Sequence, residues 1–369
     1  MAAKRVKSSP TEPTSTRSKN PAAMFGANSS CWIEGAEAMY LKTGSIMKRI
    51  FFIPIAILLL AWPTFAGTNG GLGGAFTRIG AGARAKAMGN AFVAVAEGPS
   101  AVYFNPAALS FGEKREFTAT LSRMALDRSL DYLAFSTPLR PKAGPEKKAV
   151  KAGVGLGWLH AGVGDIDSRD FDGNPLETID MSSNLFLFSF GMQFHEKFGA
   201  GLTAKVIYES FGKIGTDDAA VNGDGFGVDF AAFAKPIEYL TVGAQIKDIS
   251  SKTTWNTSNY WSQGSSKEDK WPMQYRIGAA YQRWGCLAAM DFESSEESDT
   301  RLHAGLEGTY DISPKQSVAG RIGYDDGAAT FGVGLGFAVW KIHSTLDFTY
   351  ILEDIAPDDA TAISWGVQF

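Results

Sequence analysis

From about Arg115 to Phe369 the chain alternates apolar and polar residues in short segments separated by turn-like breaks. The last segment carries Ile363, Trp365, Val367 and Phe369 on one face and Ala362, Ser364, Gly366 and Gln368 on the other. Period-two alternation over about ten residues, repeated to the end of a chain, is the pattern of a membrane-spanning β-barrel. Fourteen segments fit it, near 115–124, 129–138, 149–160, 182–194, 200–211, 224–234, 239–249, 272–282, 286–293, 300–310, 316–325, 328–340, 342–351 and 361–369. The expected fold class is all-β: a fourteen-stranded antiparallel transmembrane β-barrel over 115–369, with both ends on one side because the strand number is even.

The breaks sort by length. Most connections after even-numbered segments are short, whereas those after the third, fifth and seventh run over 161–181, 212–223 and 250–271. Short turns on one rim and long loops on the other are characteristic of outer-membrane barrels. One face of each segment is large and apolar, as in Phe186, Phe188, Phe190, Met192 and Phe194. The other is small and polar, and gives Lys205, Glu209, Arg276, Arg301, His303, Glu307, Arg321 and Asp347 as candidate lumen residues. Gly153, Gly155, Gly157, Gly332, Gly334 and Gly336 share that inward face, where a bare backbone leaves room for something packed against the wall. The longest loop carries Trp255, Tyr260, Trp261 and Trp271, an aromatic surface for a guest outside the cell or an interfacial anchor.

Composition agrees with lipid as the solvent. Hydrophobic residues make up 45% of the 369, yet the body of the chain contains no run long enough for a membrane helix. Alternation reconciles the two, since half of each strand meets lipid. A basic Met47-Lys48-Arg49, an apolar run over 50–62 and a small-x-small site ending at Ala66 together read as a secretory signal peptide, 47–66. Residues 1–46 lack periodicity and are expected to be a disordered extension, or to be left untranslated if translation starts at Met47. The formal net charge of −4 becomes more negative without the basic first 66 residues, which argues against a nucleic-acid partner. Of two cysteines, only Cys286 lies in the barrel, so no intramolecular disulfide is expected there.

Between signal and first strand, 67–114 shows no alternation and is rich in small residues. A compact segment ahead of a wide barrel reads as a hatch folded into the lumen. Its core, from Gly82-Ala83-Arg84-Ala85-Lys86 to Ser100-Ala101-Val102-Tyr103-Phe104-Asn105-Pro106-Ala107-Ala108-Leu109, resembles the N-terminal signature of the FadL-like outer-membrane transport proteins, and within them the PorV/PorQ branch. Asn105, Pro106 and Ala107 match that family's hatch motif. The resemblance implies a plugged fourteen-stranded barrel, without enzymatic activity, that handles guests at the bacterial outer membrane. FadL-type members pass hydrophobic molecules through a hatch shift and a lateral opening. PorV-type members serve type IX secretion as shuttles for exported proteins. A structural or adhesive surface barrel is a third reading. Expected partners are outer-membrane lipid, an apolar small molecule or exported protein, and the barrel-assembly machinery through the strand ending in Phe369. From the residues alone, Asn105 and Pro106 also suit a rigid turn with no transport role.

Other motifs carry little. Gly80-x-Gly82-x-x-Ala85 lacks the preceding strand of a dinucleotide site. The run Ser168-x-Asp170-x-Asp172-Gly173 begins like a calcium loop, but its twelfth position is Ile179, leaving only loose binding by Asp165, Asp167, Asp170 and Asp172. The four histidines lack zinc spacing and no nucleophile elbow occurs, so neither metal, cofactor nor enzymatic activity is expected.

Overall fold

The computed structural model describes residues 71–140, 151–214, 219–258, 264–353 and 359–369. The extension and signal segment lie outside the described residues, as do Tyr260 and Trp261. Fifteen strands follow a short helical region: β1 (Glu116–Met124), β2 (Arg128–Leu139), β3 (Lys151–Ile166), β4 (Ile179–His195), β5 (Phe198–Ile214), β6 (Ala219–Ile237), β7 (Leu240–Asn256), β8 (Ser266–Lys270), β9 (Gln274–Arg283), β10 (Cys286–Ser295), β11 (Arg301–Ser313), β12 (Gln316–Asp325), β13 (Ala328–Val339), β14 (Ile342–Ile351) and β15 (Ala360–Gln368).

Fourteen of them close into an antiparallel transmembrane barrel. Each pairs with its chain neighbour, β7 pairs with β9, and β1 pairs with β15 from Glu116↔Gln368 to Arg123↔Thr361. Closure leaves no sheet edge unpaired in lipid, the condition for a β-structure to span a membrane. The exception is β8, a five-residue strand laid against the C-terminal end of β7, from Lys252↔Lys270 to Asn256↔Ser266. No alternation marks it: its sequence is Ser-Lys-Glu-Asp-Lys and every residue is exposed.

The outward face carries the alternating apolar residues. Phe186, Phe188, Phe190 and Phe194 of β4, Phe331, Val333 and Leu335 of β13, and Ile363 and Trp365 of β15 are exposed, as side chains facing lipid would be. Their partners along each strand are buried. Trp284 and Trp340 project from hairpin turns at the rim that holds both barrel ends, at girdle positions. On the opposite rim, Asp326 and Gly327 both take positive φ in the two-residue turn between β12 and β13, the conformation a tight hairpin requires.

Five consecutive strands, β3 to β7, run 16 to 19 residues, well beyond the roughly ten needed to cross a bilayer. Much of the expected loops at 161–181, 212–223 and 250–271 is therefore strand that continues past the opposite rim. No lipid faces those extensions, so their sequence has no reason to alternate.

Candidate functional site

The segment Gly71–Glu113 folds inside the barrel as short helical pieces: Ala75–Arg78, Ala83–Ala87, Gly98–Ser100, Ala101–Phe104 and Pro106–Phe111. Small residues let its backbone lie against the wall. A Cβ on Gly153 would stand 2.1 Å from the Leu109 carbonyl oxygen, on Gly191 2.3 Å from that of Pro106, and on Gly201 2.4 Å from the Ala107 nitrogen. Gly155 and Gly157 face Val102, and Gly332 faces Ala87. Gly334 and Gly336 instead make room for wall side chains, Asp347 and Arg321 for the first and Ser317 for the second.

Asn105 is fully buried and caps the Pro106–Phe111 turn, its Oδ1 accepting from the Ala107 N–H at 3.2 Å. Its Nδ2 donates to the carbonyls of Val93 at 2.8 Å and Ala232 at 3.0 Å, the second on β6. Pro106 opens the turn, where its missing N–H costs nothing. The motif Asn105-Pro106-Ala107 thus ties two hatch segments to each other and to the wall.

The lumen has two unlike halves. Toward β2–β5 the inward side chains Leu130, Tyr132, Leu159, Leu185, Leu187 and Ile207 are buried against Val102, Tyr103, Phe104 and Leu109 of the hatch. Tyr103 packs on Phe104 and Tyr132 at ring distances of 4.7 and 6.2 Å, and its hydroxyl donates to the Thr77 carbonyl. Burial pushes the Tyr103 phenol above its ordinary range, which keeps it a neutral donor.

Toward β9–β14 the wall is charged and paired. Arg84 of the hatch reaches Glu307 at 2.8 Å and Glu97 at 2.5 Å, and Arg321 joins Glu307 at 2.6 Å to Asp347 at 2.7 Å. Burial works against the Arg84 charge, but Glu97 and Glu307 outweigh it and hold the guanidinium above its ordinary range. Arg276 pairs with Glu293, Arg301 with Asp326 at 2.7 Å, and His303 Nδ1 lies 2.8 Å from Asp325. Asp291 Oδ2 accepts the backbone N–H groups of Phe92 and Val93 at 2.8 and 2.9 Å, a second tether for the hatch. Lys86 is buried, with Ser122 Oγ 3.1 Å from its ammonium, and burial pulls it down to about 8.

At β7 the pairing with β6 is bulged. Two register shifts against β6 fall between Ile246 and Lys252, where Asp248 and Ser250 have positive φ. Asp248 thereby turns into the lumen beside Lys205, which also lies 2.6 Å from Asp229. Gln274 donates to Asp248 at 2.7 Å, and Glu209 accepts from Ser183 at 2.9 Å and Thr253 at 2.8 Å.

Lys205, Glu209, His303, Glu307, Arg321 and Asp347 are buried, and Arg276 and Arg301 nearly so. The expected aromatic loop divides: Trp255 is half-buried beside Phe211, at a ring distance of 5.8 Å, whereas Trp271 is turned into the lumen. Asp291 and Glu293 were accessible to sequence reasoning, since they continue the inward parity of Leu287 and Ala289 on β10. Asp248 was not, because the bulge reverses its parity. Asp170 caps a loop turn, accepting from Asn174, and no group of metal ligands is present among the described residues.

Cavities are present among the described residues. One of about 400 Å³ opens among Arg84, Glu97, Glu116, Arg321, His343 and Gln368, and one of about 350 Å³ lies beside it under Phe111 and Lys235. A third, about 510 Å³ and almost wholly apolar, is a groove on the outward face between Phe230, Ala244, Ile246, Tyr275 and Phe292.

Fold and lumen together define a transmembrane barrel of fourteen strands plugged from within by its own N-terminal segment. Solved structures share this fold. The toluene transporter TodX of Pseudomonas putida superposes with a TM-score of 0.54 at 13% identity, covering 79% of this chain and 98% of the other. The toluene transporter TbuX of Ralstonia pickettii gives 0.53 at 15% identity over the same shares, and a Pseudomonas aeruginosa FadL homologue 0.50 at 11%, covering 76% and 95%. No protein-family model and no curated protein sequence matches the chain.

Proposed function

We propose that this protein resides in the bacterial outer membrane and passes apolar small molecules across it without enzymatic chemistry. The observation that carries the reading is the apolar half of the lumen. A water-filled pore would have no use for Leu130, Leu159, Leu185, Leu187 and Ile207 on its inner wall, whereas an apolar seam between hatch and wall, packed shut at rest, suits an apolar guest once the hatch shifts. The fold shared with two toluene transporters supports the same class of guest. On this reading Asn105, Pro106 and Ala107 hold the hatch closed, the charged half keeps it in register, and Trp255 belongs to the surface that first meets the guest. The rim with both barrel ends is periplasmic, the tall rim of β3–β7 is extracellular, and the strand ending in Phe369 is the one presented to the assembly machinery.

The test is uptake of radiolabelled toluene by cells whose only barrel of this kind is this protein. Uptake several-fold above the empty-vector strain is expected. Uptake at the empty-vector level, with the barrel assembled as judged by its heat-modifiable migration in gels, would overturn the reading. The second reading, a PorV-type shuttle for exported proteins, draws on the hatch sequence from Gly82 to Leu109. It predicts secreted proteins co-purifying with the barrel in mild detergent.

A further inference from the structure

Trp271 enters the lumen from the outer end of the barrel. It follows β8, whose residues are all exposed, and its indole is only 4% exposed. The ring lies flat against the first part of the hatch: a Cβ on Gly73 or Gly74 would stand 2.7 or 2.5 Å from ring carbons. Phe76 meets it edge-on at a centroid distance of 5.8 Å. Its Nε1 donates to Thr253 Oγ1 at 3.1 Å, and the Lys205 ammonium stands 6.0 Å from the ring centre. These walls form a flat slot with one hydrogen-bond acceptor at its end and a cation toward one face, complementary to a planar aromatic ring.

We propose that this slot is a binding site for a small planar aromatic guest, filled in the resting protein by Trp271 itself and vacated when a guest displaces that ring. The proposal rests on the reading of the protein as a carrier of apolar molecules and names one site and one class of guest for it. Two features make the ring displaceable. Its backbone is tied down by one N–H donated to the Ser251 carbonyl at 3.0 Å and by a β8 ladder of five residue pairs. Because β8 buries no side chain, moving this stretch loses little packing besides the indole and the adjoining Pro272. The slot would persist on its hatch side, because that wall is the backbone of Gly73 and Gly74, with no side chain to collapse inward. A built-in ring lowers the apparent affinity of any competing guest by the fraction of time the slot is occupied.

The experiment titrates indole and 1-methylindole into the purified barrel by calorimetry, comparing wild type with Trp271→Ala. Indole is expected to bind the variant at least tenfold more tightly than wild type. 1-Methylindole should bind the variant more weakly than indole, because it lacks the N–H that meets Thr253. Equal indole affinity in both proteins, or no binding to an assembled variant, would overturn the proposal. Should Trp271→Ala fail to assemble, Trp271→Phe carries the same comparison: its smaller ring gives a smaller gain, and no gain overturns the proposal. Toluene uptake separates the two readings. Uptake without an indole gain removes the slot and leaves the transporter. An indole gain without uptake supports the slot and removes the transporter.

Discussion

The Asn105 side-chain nitrogen donates to the carbonyl of Ala232 at 3.0 Å, a hydrogen bond that joins the hatch to β6 across 127 residues of chain. The same amide holds the Val93 carbonyl and the Ala107 N–H, so one side chain fixes three backbone groups from two hatch segments and the wall. Replacing it by Ala strands those groups without water. At about 1–3 kcal/mol for each buried group left unsatisfied, Asn105→Ala should loosen the hatch while leaving the barrel ladder intact. The expected outcome is faster proteolysis within 93–112 and larger single-channel conductance in planar bilayers, with unchanged heat-modifiable migration.

Gly201 is the test of close approach. Its missing Cβ would lie 2.4 Å from the backbone of Pro106 and Ala107, which cannot give way without moving the turn. Gly201→Val should therefore displace the hatch and raise conductance, whereas Gly320→Ala, with no heavy atom within 4 Å of its added carbon, should behave as wild type. Equal conductance in the two variants would contradict the packing described.

Arg84 is the hatch cation that joins Glu97 to Glu307 of the wall. Removing one partner of a buried ion pair costs about 3–5 kcal/mol, and less here because Arg84 is 28% exposed and Arg321 still neutralises Glu307. Arg84→Met should thus weaken docking of the Ala83–Ala87 helix without unfolding the barrel. Hydrogen exchange of amides 83–90 is expected to accelerate, with protection unchanged in β1 and β15.

Lys86 gives the hatch a pH dependence of definite sign. Its ammonium, buried in the docked hatch, has a pKa lowered to about 8 from an ordinary 10.5. Between those values the undocked state holds the extra proton, so docking strengthens as pH rises from about 8 toward 10.5, and the penalty is complete below that window. The ratio of hatch proteolysis rates for wild type and Lys86→Met, measured from pH 7 to 10.5, should start above one and approach a constant at the alkaline end. A ratio independent of pH would contradict burial of a charged Lys86.

Lys205 lies between Asp229 and Asp248, and all three are buried. Lys205→Met would remove the ammonium that both carboxylates contact, at a cost of about 3–5 kcal/mol, lessened by the nearby Lys247. A lower urea midpoint is expected for the barrel, with partial recovery in the double variant Lys205→Met, Asp248→Asn.

The sequence alone determined the fourteen spanning strands, their inward and outward faces and the presence of a hatch. Lipid imposes a strict period of two on every spanning strand, and that constraint is local, so Phe186 or Val333 could be assigned without knowing any neighbour. The inward glycines were legible for the same reason. The tertiary structure decided what depends on contacts distant in sequence. Arg84 finds Glu307 across 223 residues, and Asp291 finds Phe92 across 199. It revealed β8, which faces neither lipid nor core and so carries no pattern. It placed Asp248 inward, because a bulge resets parity, and it drew Trp271 from an expected outer surface into the lumen, because the glycines that receive its ring lie nearly two hundred residues earlier in the chain.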